Sequence, residues 1–295
     1  MHSLNTNIIK IDYKGFGFLD FGAAPADRVG DADVRRFESY IERGCYAGMQ
    51  YLARNTDKRM DPALLVPGAR SVLCFLAPYG KSEGGVAGFA CGKDYHKVIK
   101  DRLHLIMRHL SERYTGFEGR AFVDSAPVLE RYWAARARLG FIGDNHFLIS
   151  PEYGLRTLIG VIICNIPYDR FEPHQPLAEV SCGSCGKCRA ACPGKALEKD
   201  FLNAARCISY LTIESSDTKR TDADFKGWIF GCEECLKACP WNKATDSWPE
   251  FEIHRDSINR LAGDGWLQLD EESFSEEFSD SGLTRAGLEK IKDNI

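Results

Sequence analysis

Apolar residues recur along the first half of the chain at two spacings, one helical and one typical of strands. Between Asp31 and Gly44, the side chains of Val34, Phe37 and Ile41 fall on one helical face. Short apolar runs bounded by Gly, Pro or Asp predict strands instead. The predicted helices cover 31–44, 94–113 and 127–139, and the predicted strands cover 71–77, 120–124, 147–149 and 156–164.

This alternation of strands and helices predicts an α/β (α+β) fold in which helices cover a mixed or parallel sheet. The stretch 167–178 contains three prolines and few apolar residues, which is typical of a linker. The chain is acidic beyond Trp248, and short helices are expected there. We therefore predict an α/β domain over residues 1–170, a cysteine-rich domain over 171–245 and a helical tail over 246–295 that packs on the core.

Composition and charge exclude several classes of protein. The chain has 295 residues, of which 44% are hydrophobic and 27% charged, so it can form a large core without covalent cross-links. Its net charge of -4 gives no general attraction to phosphate, and any nucleic-acid contact would need a local basic surface. The N-terminus lacks an export signal, and the most apolar stretch, 155–167, is too short to cross a membrane. A cytoplasmic location is expected, where cysteines bind metal, do chemistry or fill the core.

Eight of the twelve cysteines lie between residues 182 and 239. The run from Cys182 to Pro193 has the spacing C-x2-C-x2-C-x3-C-P, which two-cluster bacterial ferredoxins use. A second copy, from Cys232 to Pro240, lacks the first cysteine, and Cys207 can fill that place. The other four cysteines stand alone among apolar neighbours: Cys45, Cys74, Cys91 and Cys164.

The ferredoxin spacing sends the fourth cysteine of each motif to the neighbouring cluster, which predicts crossed ligand sets. One [4Fe-4S] cluster would be held by Cys182, Cys185, Cys188 and Cys239, and the other by Cys192, Cys207, Cys232 and Cys235. A pair of four-cysteine zinc sites and a merely structural cysteine-rich core are the alternatives, although zinc sites rarely repeat this register. Direct use of a nicotinamide is not expected, because Gly15-Phe-Gly17 lacks the third glycine of G-x-G-x-x-G.

Further segments around these ligands match a known family. They are 54–62, 67–72, 94–98, Val123–Glu130, Leu139–Asn145, Arg206–Glu214 and Gly231–Asn242. Together they closely resemble the epoxyqueuosine reductase family, which performs the last step of queuosine synthesis on tRNA. The resemblance runs from about Gly15 to Asn242. Many family members continue past the position of Thr284–Gly287 into a helical-repeat domain, so a short form is expected here.

The resemblance implies that the α/β domain binds cobalamin and that the ferredoxin-like domain carries two [4Fe-4S] clusters. The implied reaction is the two-electron reduction of epoxyqueuosine to queuosine in tRNA, with release of water. The implied partners are the anticodon arm of tRNA and an electron donor of the flavodoxin or ferredoxin type. A monomer is expected, with no membrane contact. The chain has no D-x-H-x-x-G motif, in keeping with the family.

Asp124 matches the proton donor of the family. The residues alone leave two interpretations, because Asp124 ends an apolar strand and precedes Ser125 and a proline-started helix. Its carboxylate would either cap that helix or project into a pocket, where loss of solvent raises its pKa enough for it to act as an acid.

Six residues in matching segments are candidates for the corrinoid pocket: Arg59, Tyr95, His96, Asn145, Leu148 and Ser209. Each has a plain alternative, such as an ion pair for Arg59, a turn for Asn145 and strand core for Leu148. Ser209 lies next to Cys207 and would touch either the second cluster or the corrinoid. Basic side chains on two helices would hold tRNA phosphates or form a solvated face: Lys93, Lys97, Lys100, Arg102, Arg131, Arg136 and Arg138.

Two rival functions remain open at this stage. One is a cobalamin-dependent reductase of another small molecule, similar to the reductive dehalogenases. The other is a non-catalytic electron carrier in which the first domain only docks partners.

Overall fold

The central sheet of the protein has four strands. A computed structural model describes residues 8–175, 180–216 and 224–295. The strands pair in the order β1-β2-β6-β3, and each pairing is antiparallel. A separate two-stranded ladder joins β4 to β5. Their bounds are β1, Asp20–Pro25; β2, Ser71–Pro78; β3, Gly119–Phe122; β4, Phe141–Ile142; β5, Leu148–Ile149; and β6, Thr157–Cys164.

The prediction of a mixed or parallel sheet was wrong, because the chain between β2 and β6 is not a simple crossover. It contains a helix, strand β3, a second helix and the β4-β5 ladder, and it brings β6 back antiparallel to β2 with Ser71 opposite Cys164. Strand β1 was missed, since its sequence, DFGAAP, is short and includes a glycine and a proline. The α+β part of the prediction is confirmed by the mixed content of helices and strands.

Strand β2 is buried on both faces and shows how the layers form. Because side chains alternate along a strand, Leu73 and Phe75 enter one core and Val72 and Cys74 enter the other. The first core lies under α3 (Tyr95–Arg113), whose buried residues are those of the predicted apolar stripe: Ile99, Leu103, Ile106 and Leu110. A Cβ on Gly160 of β6 would lie 2.9 Å from Ile99, so the glycine lets α3 approach the sheet closely.

The other face of the sheet is covered by α4 (Glu130–Arg136), which contributes Trp133 and Ala134. The predicted helix 127–139 is therefore too long at both ends. At its start, Asp124 takes the left-handed backbone conformation with φ of 54°, and the Ser125 amide donates to the Val123 carbonyl at 2.6 Å. This turn interrupts the helical path before Pro127, and the first helical residue is Glu130.

The remaining helices are short. Helices α5 (Lys187–Ala191) and α7 (Glu234–Lys237) pack together in the cysteine region, near α6 (Ile208–Ile213). Beyond residue 246 the chain forms short helices, and their apolar residues form a core with Val86 and Phe230. The other helices are α1, Asp31–Glu42; α2, Thr56–Met60; α8, Arg255–Leu261; α9, Gly265–Gln268; α10, Glu271–Phe278; and α11, Leu288–Asp293.

The cores cross the predicted domain limits. The core under α3 includes Leu236 from the cysteine region and Trp248 and Phe251 from the tail. The division at 170 and 245 stays a prediction, and part of the predicted linker, residues 176–178, lies outside the described residues. Within the described ranges, no helix has both the length and the apolar character needed to cross a membrane.

Candidate functional site

The fold gathers the eight clustered cysteines into two groups of four. The first cysteine set lines one cavity together with Asp144, Asn145 and Trp241. This set consists of Cys182, Cys185, Cys188 and Cys239. The thiols surround that cavity rather than converging on a point, and among the described residues no three His, Cys, Asp or Glu side chains are placed to hold a single metal ion.

The second cysteine set consists of Cys192, Cys207, Cys232 and Cys235. Burial raises the pKa of Cys235, and the thiolates of Cys232, Cys207, Cys192 and Cys188 raise it further, in decreasing order. Burial likewise raises the pKa of Cys232 to about 12, with smaller contributions from Cys207 and Cys192. The first set lines one cavity as the crossed assignment expects, and the assignment of the eight ligands to two clusters stays a prediction.

Backbone amides point at the sulfurs. The Asp144 amide donates to Sγ of Cys182 at 3.3 Å, and the Ala196 amide donates to Sγ of Cys192 at 3.3 Å. Burial raises the pKa of Cys207, while the backbone amides of Tyr210 and Ser209 lower it. Such hydrogen bonds favour thiolates and are among the factors that set cluster potentials. Ser209 thus reaches the second cysteine set through its backbone.

The two sets differ in exposure. Cys185 of the first set is exposed, whereas every member of the second set is half-buried. The loop after α1 packs on the segment that carries the second set: the Ala204 amide donates to the Cys45 carbonyl at 2.8 Å, and the Gly48 amide donates to the Tyr210 hydroxyl at 2.9 Å. The first set therefore contains the most exposed thiol, Cys185, although its Cys188 is buried. Both sets contact the α/β region, the first through Asp144 and Asn145 and the second through the loop after α1.

Asp124 lies at the centre of a group of titratable side chains, called here the acid cluster. The acid cluster consists of Tyr95, His96, Asp124 and Glu130. The Tyr95 hydroxyl donates to Oδ2 of Asp124 at 2.6 Å, and Nε2 of His96 lies 3.5 Å from the same oxygen. The Asp124 amide donates to Oε1 of Glu130 at 2.6 Å. The Asp124 side chain retains 64% of its surface accessible, so its carboxylate faces open space.

Local structure explains how these side chains meet. Asp94 caps α3 by accepting from the His96 amide, which places Tyr95 and His96 in the first turn, at the end of β3. The left-handed backbone of Asp124 turns its side chain toward them, and Asp is among the residues that tolerate this conformation. The helix-cap interpretation is wrong, because α4 begins at Glu130 with no side-chain cap.

The charge distribution in the acid cluster differs from the prediction for Asp124. Burial raises the pKa of Asp124, but hydrogen bonds from His96 and Tyr95 outweigh it, and the net pKa is lowered. Burial lowers the pKa of His96, yet the bonds to Asp124 and Asp94 raise it to about 9. Burial and the Asp124 charge raise the pKa of Glu130 to about 8. At neutral pH, these shifts keep His96 and Glu130 protonated beside an ionised Asp124, and Tyr95 keeps its hydroxyl proton.

Charge effects on two tyrosines connect the acid cluster to the second cysteine set. Burial raises the pKa of Tyr40 to about 12, with smaller contributions that include Cys207 and Tyr51. Burial also raises the pKa of Tyr51, and Asp124 adds to the effect. Tyr40 therefore lies within electrostatic range of Cys207, and Tyr51 within electrostatic range of Asp124.

The structure places the remaining corrinoid candidates in different surroundings. Arg59 is buried, donates from its NH2 group to the Tyr51 carbonyl at 3.1 Å and has no partner for Nε among the described residues. Asn145 is buried beside the first cysteine set, and its Nδ2 likewise has no partner there. The Leu148 side chain belongs to the core under α4, as expected if it is a strand residue that packs in the core.

The basic side chains are partly committed to internal pairs. Arg102 pairs with Glu250 at 2.7 Å, Arg136 pairs with Asp27 at 2.7 Å, and Lys93 pairs with Asp280 at 3.4 Å. These three are therefore already engaged within the chain.

Sequence reasoning missed Glu130, Tyr51 and His146 as site residues. Glu130 follows Asp124 by six residues, but its part in the site depends on the turn at Asp124. Burial lowers the pKa of His146 to about 4, and its Nε2 has no partner among the described residues. No sequence pattern marks Tyr51, because its position depends on how the loop after α1 packs.

Comparisons with known proteins concern both the cysteine sets and the segment that contains the acid cluster. Residues 181–242 match the 4Fe-4S double cluster binding domain, and residues 59–125 match the epoxyqueuosine reductase (QueG) domain. The chain therefore carries a double-cluster domain, and the cluster interpretation prevails over zinc.

Similar proteins cover nearly the whole chain. The epoxyqueuosine reductase of Leadbetterella byssophila is 36% identical over 291 residues, which cover 95% of this chain and 93% of that protein. An epoxyqueuosine reductase solved with an epoxyqueuosine-modified tyrosine tRNA stem loop is 29% identical and has a TM-score of 0.80, covering 96% of this chain and 77% of its own. A Bacillus subtilis epoxyqueuosine reductase, solved with its catalytic aspartate loop swung out of the active site, is 28% identical with a TM-score of 0.79 and the same coverage. This chain belongs to the epoxyqueuosine reductase family.

Proposed function

We propose that this protein reduces epoxyqueuosine in tRNA to queuosine. The epoxide gains two electrons and two protons, both of its C–O bonds break, and the products are an alkene and water. The observation that carries the proposal is the Asp124 carboxylate, held by Tyr95 and His96 in open space near a double-cluster domain. The tRNA is proposed as substrate because a relative was solved with a modified tRNA stem loop.

The two cysteine sets would each hold one [4Fe-4S] cluster. The first set, with exposed Cys185, would receive electrons from an external donor of the flavodoxin or ferredoxin type. The second set, which packs against the α/β region, would pass them toward the acid cluster. One electron per cluster matches the two electrons that the reaction consumes.

Asp124 would deliver one of the two protons to the departing oxygen, and the second would come from solvent. Its lowered pKa means that the carboxylate is not a proton store by itself, so it needs a neighbour that is. His96 fits, since its pKa of about 9 keeps it protonated at neutral pH and its Nδ1 lies 2.7 Å from Oδ1 of Asp94. The proposed path runs from His96 to Asp124 and on to the oxygen.

A cobalamin is the proposed further cofactor, as the family resemblance implies. Buried polar atoms without a partner among the described residues suit a large polar ligand: Nε of Arg59, Nδ2 of Asn145 and Nε2 of His146. When bound, reduced cobalamin would supply electron density to the epoxide. The residues proposed to hold it are Arg59, Tyr95, His96, Asn145, Ser209 and, through its backbone, Leu148.

Turnover with and without cobalamin tests the proposal. Anaerobically reconstituted protein is incubated with a chemical reductant and tRNA that carries epoxyqueuosine, and the nucleosides are identified by mass spectrometry. Queuosine should form only when cobalamin is present. Cluster absorbance without corrinoid binding would favour the electron carrier, and corrinoid binding without conversion would favour a reductase of another small molecule.

A further inference from the structure

A buried ion pair reaches from the α/β region into the second cysteine motif. The NH2 nitrogen of Arg156 lies 2.8 Å from Oε2 of Glu233, and the two side chains are only 6% and 3% exposed. Glu233 stands between Cys232 and Cys235, the last two members of the second cysteine set. Charged side chains are rarely buried so completely unless they are paired, and here the pair lies next to proposed cluster ligands.

Both partners are held by further contacts from one loop. The other carboxylate oxygen of Glu233 accepts from the Gly88 amide at 2.8 Å. NH1 of Arg156 donates to the Gly80 carbonyl at 2.9 Å, and the Tyr79 ring lies beside the guanidinium at 5.9 Å. A Cβ on Gly88 would lie 2.1 Å from the Gly80 oxygen, so a larger residue cannot enter this junction without displacing backbone.

The next residue in the motif provides an internal comparison. Glu234 also lies between the two cysteines, but its side chain is 32% exposed and pairs loosely with Lys237 at 3.6 Å. Its carboxylate also accepts from the Trp228 indole at 3.2 Å. Besides burial, which raises the pKa of Cys232, the backbone amide of Glu234 lowers that pKa and its charge raises it, so Glu234 also acts on this ligand. Solvent screens part of the Glu234 charge, whereas Glu233 and Arg156 lie in a buried region of low dielectric.

We propose that Arg156 and Glu233 are positioning residues that tune the reduction potential of the cluster held by Cys192, Cys207, Cys232 and Cys235. The inference rests on the ligand assignment within the proposed function. Reduction adds a negative charge to a cluster, so a buried carboxylate beside it opposes reduction and a buried guanidinium favours it. Arg156 offsets the charge that Glu233 brings into the motif.

Potentiometric titration followed by electron paramagnetic resonance tests the inference on anaerobically reconstituted protein. Glu233→Gln should move one cluster midpoint to more positive potential, and Arg156→Gln should move the same midpoint to more negative potential. Glu234→Gln should shift it by much less than Glu233→Gln does. The other cluster should change little in all three variants.

The controls separate this inference from the proposed function. The wild-type protein should first be shown to assemble both clusters and to convert epoxyqueuosine. If the midpoints are then equal in all variants, or move the same way in Glu233→Gln and Arg156→Gln, the inference is overturned and the proposed function stands. If Arg156→Gln does not assemble the cluster, the test is the difference between the midpoint shifts of Glu233→Gln and Glu234→Gln. Equal shifts in those two variants would refute a special role for the buried pair.

Discussion

The cysteine region and the acid cluster are assembled in opposite ways. The eight clustered cysteines lie within residues 182–239, and short helices and turns bring them together. Members of the acid cluster come from the start of α3 and from the turn and helix that follow β3. Local spacing determines the first arrangement, whereas the second depends on how distant elements pack.

This difference separates the tasks of the two regions. The cysteine region needs fixed sulfurs that surround a cofactor, and backbone amides stabilise them. The acid cluster needs a carboxylate that faces open space and a neighbour that holds a proton. The left-handed turn at Asp124 provides the first, and the hydrogen bond between His96 and Asp94 supports the second.

Loss of a ligand should have the largest effect. Cys207→Ser should remove one of the two clusters and abolish turnover, because the second cysteine set then has three thiols. Iron and sulfide per chain should fall to about half of the wild-type values. Cys164→Ala is the matched control, since Cys164 is a buried strand residue outside both sets and its loss should leave the iron content unchanged. Equal iron loss in both variants would contradict the ligand assignment.

Replacement of the Asp124 carboxylate should leave the cysteine region intact but should strongly reduce turnover. Asp124→Asn keeps the size and tolerates the left-handed backbone, but it cannot pass on a proton. Turnover should fall by about 10²–10⁴-fold, the usual contribution of a general acid. Iron content should equal that of wild type. Ser125→Ala is the neighbouring control, and full turnover in Asp124→Asn would refute the acid role.

Removal of the proton store should have a smaller effect that depends on pH. In wild type, turnover should decline as pH rises through about 9, because His96 loses its proton there. His96→Gln should lower turnover by about tenfold at neutral pH and abolish that decline. The measurement is the pH profile of conversion in both proteins. An unchanged alkaline limb in His96→Gln would show that another group feeds Asp124.

Glu130 should affect stability more than chemistry. Its pKa is raised from 4.5 to about 8, so between these pH values the folded chain binds a proton that the unfolded chain releases. The contribution of Glu130 to stability is therefore most favourable below pH 4.5 and is lost progressively up to pH 8, by up to about 1 kcal/mol per pH unit. In Glu130→Gln, the free energy of unfolding should not show this decrease between pH 4.5 and pH 8. Urea midpoints across that pH range check it, and parallel curves for both proteins would contradict it.

The sequence predicted the parts of the fold that depend on local pattern. The apolar stripe of α3, the buried strand β2 and the grouping of the first cysteine set around one cavity follow from spacing alone. The antiparallel sheet was not predictable in this way, because strand direction depends on the path between β2 and β6. The lowered pKa of Asp124 could not be predicted from the sequence either. It results from hydrogen bonds with Tyr95 and His96, which form only when the start of α3 packs against the turn at Asp124.

Two [4Fe-4S] clusters in the crossed cysteine sets fix the metal content of the protein. Iron and acid-labile sulfide are measured on anaerobically reconstituted wild-type protein. About eight of each are expected per chain, as a double-cluster domain requires. Zinc in place of iron, or no more than about four iron per chain, would contradict this expectation.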